Sequence, residues 1–325
     1  MRAMQCIAPG KVSFVETPKP ELKPGHALVK TMLVSLCGSD VHMVYYEPLH
    51  MYPLGPGTSG HEMIGVVEAV DTPGLELAPG QIALTLAPWH TAMAEYFLAP
   101  VEHVLVLPNS KPLEHLLMGQ QLGTVIYGCQ RLPSLIGKDV AIIGLGSAGL
   151  FFAAMCRRLG AARVIALDIV PHRVAVAAHF GATHAINNAQ VDPLQAVAEI
   201  TGGKLADVVI EAAGEASAIN LAPHLVKTGG HLLLFGIPRA YGFAFDYETF
   251  FRKYCTTTSI AGAPFEPGVK SFRLALDLIA SGAIDVSPLL THRLPFDRVP
   301  EAYEMARDRS DGAIKIVIDM PGNHR

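Results

Sequence analysis

Charge is scarce in this chain. Of its 325 residues only 17% are Asp, Glu, Lys or Arg, the formal net charge is −4, and no run of Lys or Arg occurs. That excludes the electrostatic footprint of a nucleic-acid or polyanion binder. Cysteine is equally thin. Cys6, Cys37, Cys129, Cys156 and Cys255 are odd in number, widely spaced and without a Cys-x-x-Cys pair, so no disulfide framework is expected. Any metal chemistry must therefore come from single cysteines that meet distant His or acidic residues in space. A membrane span is not expected either, although the mean hydropathy is +0.33. The uncharged residues 140–156, between Asp139 and Arg157, contain Gly144, Gly146 and Gly149 and fall short of the roughly 20 residues a span needs. The start of the chain holds no long apolar region with a cleavage site, so no signal peptide is evident. The expectation is a soluble, cytoplasmic protein with no membrane partner.

What is present is apolar bulk. Half of the residues are hydrophobic, enough for two cores, and at roughly 100 to 200 residues per domain the length predicts two domains. Residues 1–121 read as β-rich, with short apolar runs at 27–30, 64–70, 82–86 and 103–107 separated by Pro-Gly turns, the texture of a small irregular barrel. Residues 122–265 have another style. Unalternating apolar strands at 140–144, 164–168, 185–186, 206–212, 230–235 and 256–261 alternate with helical stretches at 148–159, 171–180, 193–200 and 216–226. That pattern predicts a parallel sheet covered on both faces, an α/β doubly wound fold. Residues 266–325 return to a different texture, with amphipathic helices at 270–281 and 300–309 and a final strand at 314–318.

One turn in the α/β half carries chemistry. Gly144-Leu145-Gly146-Ser147-Ala148-Gly149 fits G-x-G-x-x-G, directly after a predicted strand and opening a predicted helix. Gly144 permits the tight turn, Gly146 lets the backbone approach a pyrophosphate, and Gly149 lets helix pack on strand. The phosphates then meet the N–H groups where Ser147 and Ala148 open the helix. Asp168 ends the next strand, 19 residues after Gly149, where a carboxylate accepts from the adenosine ribose hydroxyls. The same carboxylate repels a 2′-phosphate, which favours NAD over NADP. Arg173 is a further candidate beside the adenosine.

Two short strings stand out in the β-rich part: Cys37-Gly38-Ser39-Asp40-Val41-His42 and Gly60-His61-Glu62. Alone, each fits an ordinary core thiol or surface His-Glu pair. Together they supply a thiolate, an imidazole and a carboxylate, the ligand types of a catalytic zinc with an open position.

With the glycine turn, these strings resemble the zinc-dependent medium-chain dehydrogenase/reductase family, in its alcohol, sorbitol and threonine dehydrogenase group. Asp207-Val-Val-Ile-Glu-Ala-Ala-Gly214, Gly229-Gly230 and Leu290-Thr-His-Arg-Leu-Pro295 extend the resemblance over nearly the whole chain. It implies a GroES-like β-barrel catalytic domain at 1–121 and 266–325, with a Rossmann coenzyme domain inserted at 122–265. It implies Cys37 and His61 as zinc ligands, with Glu62 a ligand or close partner. Ser39 then touches the substrate hydroxyl, His42 relays its proton, and Asp40 orients His61. It also implies a small-molecule alcohol as partner and a homodimer or homotetramer. The lobe of four cysteines that holds a structural zinc in such enzymes has no counterpart here, so one zinc is expected. The third protein ligand aligns with Gln120, a neutral and weak donor, with Gln121 next door.

The reaction this implies is reversible oxidation of a secondary alcohol, a polyol or cyclitol in first place, with Tyr45, Trp89 and Gln120 as candidate pocket residues. Zinc lowers the pKa of bound water from 15.7 to about 7, on the order of 12 kcal/mol at 1.36 kcal/mol per unit. A proton relay contributes roughly 3 to 5 kcal/mol, so the metal dominates. Two other readings remain at this point: a zinc-free quinone or enone reductase of the same superfamily, and a non-enzymatic nucleotide-binding protein.

Overall fold

The computed structural model describes residues 1–71, 77–87, 89–263 and 266–322. They form two compact units, one from residues 1–123 and 264–325, the other from residues 124–263.

The first unit opens with an antiparallel pair, β1 (Arg2–Ala8) and β2 (Lys11–Glu16). Its long central strand is β3 (His26–Ser35), followed by helix α1 (Gly38–Tyr45) and strands β4 (Glu62–Val70), β5 (Ile82–Leu86), β6 (Tyr96–Pro100) and β7 (Val104–Val106). Two helices follow, α2 (Leu113–Leu117) and α3 (Gly119–Cys129). Neither α1 nor the β1–β2 pair is anticipated by the apolar runs. Helix α1 starts where Asp40 Oδ2 accepts the backbone N–H of Cys37 at 2.9 Å, a local side-chain cap rather than a periodic pattern.

The second unit is the doubly wound α/β domain. Strands β8 (Asp139–Ile143), β9 (Arg163–Asp168), β10 (His184–Asn187), β11 (Ala206–Glu211), β12 (Val226–Leu234) and β13 (Thr256–Ser259) form one parallel sheet in the order β10-β9-β8-β11-β12-β13. Helices α4 (Ser147–Arg158), α5 (Pro171–Val176), α6 (Pro193–Ile200), α7 (Ala216–Leu225) and α8 (Tyr247–Arg252) lie between the strands in sequence. All five residues of β8 are buried, as a strand covered on both faces requires. The strand order reverses beside β8, the place where such sheets open a ligand crevice beyond the carboxyl ends of their strands.

The closing segment, α9 (Lys270–Ala280), β14 (Leu290–Pro295), α10 (Val299–Asp308) and β15 (Lys315–Asp319), belongs to the first unit. Strand β15 pairs with β14 in parallel and with β3 antiparallel, completing a seven-stranded sheet. Its core holds Val29, Val34, Met63, Val67 and Phe97 from the early strands and Ile316 and Ile318 from the late one. The two chain segments of this unit therefore share one hydrophobic interior.

Candidate metal centre and coenzyme cradle

Register builds the first site. Ser35, at the end of β3, pairs with Glu62, the first residue of β4. The chain leaving β3 reaches Cys37 two residues later, and His61 precedes β4 by one. Cys37, His61 and Glu62 thus converge, with one ligand atom of each within 4.8 Å of the others. His61 turns Nδ1 to Asp40 Oδ1 at 3.2 Å, so Nε2 is left for a cation. That nitrogen lies 3.9 Å from Glu62 Oε1.

Glu62 is fully buried. Its Oε2 accepts from the Ser35 hydroxyl and from Lys315 Nζ, the latter at 2.5 Å. Lys315 is buried too, and also donates to the Leu36 carbonyl at 3.0 Å. Strand β15 delivers it, because Val317 pairs with Ser35. The other carboxylate oxygen, Oε1, has no hydrogen-bond partner among the described residues. A buried carboxylate oxygen without a donor is costly unless a cation meets it. A thiolate, an imidazole nitrogen and this orphaned oxygen are a donor set that fits zinc.

The neighbouring charges act on one another. Burial alone would raise the pKa of Asp40, but the charge and hydrogen bonds of His61, then those of His90, hold its carboxyl far below the usual carboxylate range. Burial pulls His61 down, yet the Asp40 charge and the bonds to Asp40 and Cys37 outweigh it and hold the imidazole proton well above the ordinary range. An incoming cation must displace that proton, so affinity and proton release are linked.

Of the two neighbouring glutamines, Gln121 brings its amide to the sulfur, with Nε2 3.7 Å from Cys37 Sγ. One residue on a helix is a rotation of about 100°, so an alignment ambiguous by one position turns a different side of α3 toward the sulfur. Gln121 Oε1 is buried without a hydrogen-bond partner among the described residues, and turning the amide over exchanges a donor for an acceptor beside the sulfur. Gln120 is also buried.

Ser39 and His42 stand three residues apart on α1, hence on one face, Ser39 half-buried in the first turn. His42 Nε2 lies 3.9 Å from Glu47, with the ring beside Tyr46. Of the proposed pocket residues, Trp89 is 67% exposed. Tyr45 packs into the unit itself: a Cβ on Gly10 would meet its ring at 2.6 Å, and Arg307 lies over it at 4.8 Å.

His90 is a site residue that sequence reasoning missed. Its Nδ1 lies 3.2 Å from Asp40 Oδ1 and its ring 4.3 Å from that of His61. The available signal was an imidazole in the mostly apolar connection between β5 and β6.

The second site lies in the α/β unit. Gly144 has φ +93°, and a Cβ there would come within 2.8 Å of Ala213. A Cβ on Gly149 would strike the Gly144 carbonyl at 1.8 Å. Those two glycines are demanded by the protein's own packing. Gly146 is not: the nearest atom to its virtual Cβ is an Arg173 guanidinium nitrogen at 3.9 Å. The space it leaves open suits a pyrophosphate at the start of α4, where Ser147 and Ala148 begin the helix. Asp168 ends β9 almost fully buried; Oδ2 accepts Leu145 N–H at 2.6 Å and Oδ1 accepts Val170 N–H at 2.9 Å. Each oxygen keeps a lone pair for a ribose hydroxyl. At the end of β11, Glu211 Oε1 accepts from Ala213 and Gly214 at 2.8 Å each. Burial pushes this carboxyl up, opposed by the N–H groups of Gly214, Ala213 and Gly236.

The family pattern described as zinc-binding dehydrogenase matches residues 148–281, and that of the alcohol dehydrogenase GroES-like domain matches residues 23–109. An alcohol dehydrogenase of Cupriavidus necator is 27% identical, covering 98% of each chain. A sorbitol dehydrogenase of Bacillus subtilis is 25% identical, covering 94% of this chain and 93% of that one. Among solved structures, an alcohol dehydrogenase from Thermus sp. ATN1 matches with a TM-score of 0.82 and 27% identity, covering 98% of this chain and all of the other.

Proposed function

Since this chain belongs to the zinc-type medium-chain dehydrogenase/reductase family, we propose that it oxidises a secondary alcohol reversibly to a ketone, with NAD as coenzyme and one zinc held by Cys37, His61 and Glu62. The observation that carries the reading is Glu62 Oε1, a buried carboxylate oxygen without a donor beside a thiol and an imidazole. When bound, zinc supplies the Lewis acidity that acidifies an alcohol, and NAD supplies the hydride acceptor.

The chain's own residues do the rest. Asp40 fixes the tautomer of His61, so that Nε2 faces the cradle. Lys315 and Ser35 hold Oε2 of Glu62 and thereby orient Oε1. Ser39 accepts the proton of the substrate hydroxyl as it gives its own toward His42, which passes a proton outward, past Glu47. Such a relay contributes typically 10²- to 10⁴-fold. In the α/β unit, Asp168 accepts from the ribose hydroxyls and disfavours a 2′-phosphate, which selects NAD over NADP. A polyol or cyclitol is the proposed substrate class, supported by the Cys37–His42 string and by the sorbitol dehydrogenase relative.

The test is NADH formation against a panel of polyols, cyclitols and simple secondary alcohols, with zinc-loaded and chelator-stripped protein. We expect turnover with at least one polyol, about one zinc per chain, and loss of activity on stripping. No NADH from any alcohol, or turnover that survives complete removal of metal, refutes the proposal.

A further inference from the structure

We infer that His90 is a positioning residue of the metal centre, one that weakens the hold of His61 on the metal by sharing its carboxylate partner. The inference rests on the reading of Cys37, His61 and Glu62 as the metal cradle.

The geometry of Asp40 carries it. This buried carboxylate is ionised and can only accept. Its Oδ2 receives one donor, Cys37 N–H at 2.9 Å. Its Oδ1 receives three: Gly60 N–H at 3.0 Å, His61 Nδ1 at 3.2 Å and His90 Nδ1 at 3.2 Å. One oxygen offers two lone pairs, so the three donors divide them, and the two imidazole bonds are the long ones. Both imidazoles donate from Nδ1, because a carboxylate has no proton to give.

The placement of His90 is specific. Its backbone is left-handed, with φ +51°, a conformation uncommon outside glycine that histidine adopts more readily than most side chains. The turn is pinned to the strand entry that bears His61: His90 N–H bonds to Ala87 O at 3.0 Å and Ala92 N–H to Gly60 O at 3.1 Å. The side chain is a quarter exposed, so apolar burial does not account for its position.

The consequence follows from ligand chemistry. A carboxylate that accepts from a metal-bound imidazole raises the basicity of that ligand. Where a second imidazole draws on the same oxygen, His61 gains less, and the cation is held more loosely and stays more electrophilic. Glu62 is divided in the same way, between the cradle and Lys315. Both carboxylates of the centre therefore spend part of their charge elsewhere.

The experiment uses the full-length chain and two substitutions. His90→Phe keeps a ring against His61 but removes the donor, whereas His90→Gln keeps a donor of similar reach. Zinc affinity is read by chelator competition, and the ligand field by the visible spectrum of the cobalt-substituted protein. We expect His90→Phe to bind zinc more tightly, up to about tenfold, the low end of what outer partners of metal ligands contribute. Its cobalt bands should shift, and His90→Gln should return both readouts toward wild type. Unchanged or weaker zinc binding in His90→Phe, or a His90→Gln protein that follows it, overturns the inference. Cys37→Ala is the control: if it binds zinc like wild type, the cradle reading itself falls, and the inference with it.

Discussion

Replacing Lys315 by Met separates the two cations that Glu62 can serve. The ammonium is fully buried and bonded to Glu62 Oε2 at 2.5 Å and to the Leu36 carbonyl at 3.0 Å. Without it Glu62 keeps only the Ser35 hydroxyl among the described residues. In metal-free protein, removing one partner of a buried ion pair costs about 3 to 5 kcal/mol. On the proposed reading a bound zinc lies beside Oε1 and offsets part of that loss in the loaded protein. If it offsets only about 1.4 kcal/mol, zinc binds about tenfold more tightly to the variant than to wild type. Urea unfolding of both proteins, stripped and zinc-saturated, measures the two destabilisations, and chelator competition closes the cycle. The expected result is a large loss of stability in the stripped pair, a smaller one in the loaded pair, and tighter zinc. Glu62→Gln combined with Lys315→Met should recover most of the stripped protein's stability and forfeit the zinc gain. Equal destabilisation with and without zinc means that Oε1 does not face the metal, and the argument fails.

Three further outcomes are expected. Gln121→Glu, which puts a carboxylate beside the Cys37 sulfur, should tighten zinc in chelator competition, while Gln120→Glu should leave it unchanged; the reverse order means the metal-facing side of α3 is wrongly assigned. Asp168→Ala removes a charged acceptor worth about 1.5 to 3 kcal/mol, so the Kd for NAD should rise roughly 10- to 100-fold and that for NADP less; equal losses would point to damage in the glycine turn. Glu211 has a carboxyl raised above its ordinary 4.5 by burial, so the unfolded chain ionises first as pH rises. The stability it contributes is present below that value and lost as pH climbs through its folded pKa. Glu211→Gln should flatten this loss in urea midpoints taken from about pH 4 to pH 8, and an unaltered slope rules out Glu211 as its source.

The parts of the fold and site legible in the sequence are local ones. The turn at Gly144, Gly146 and Gly149 and the acidic residue ending the next strand lie within one βαβ unit, where spacing and geometry are nearly the same statement. Cys37, His61 and Glu62 were legible as ligand types, and the pairing of Ser35 with Glu62 supplies the proximity that no spacing could. Lys315 reads in sequence as an ordinary charge in the strand Lys-Ile-Val-Ile-Asp; only its place beside β3 shows that it faces a buried glutamate. His90 is hidden for the opposite reason, since a turn carries no periodicity and its partners are 29 and 50 residues away. The choice between Gln120 and Gln121 depends on helical phase, which a single apolar helix leaves loose. Helix α5, expected to run to residue 180, ends at Val176; the apolar residues beyond it pack as turns.

The interleaving of the two units has a consequence for biosynthesis. Residues 124–263 are one continuous stretch and can fold as soon as they leave the ribosome. The first unit cannot, because β3 waits for β15, and Glu62 waits for Lys315, which is made 253 residues later. Until then the Ser35 end of β3 lacks its β15 partner and the Glu62 carboxylate lacks the Lys315 ammonium. Unpaired edges of this kind are where growing chains aggregate. If Cys37, His61 and Glu62 hold a metal as proposed, an ion caught early would give the half-made domain a temporary counter-charge at Glu62.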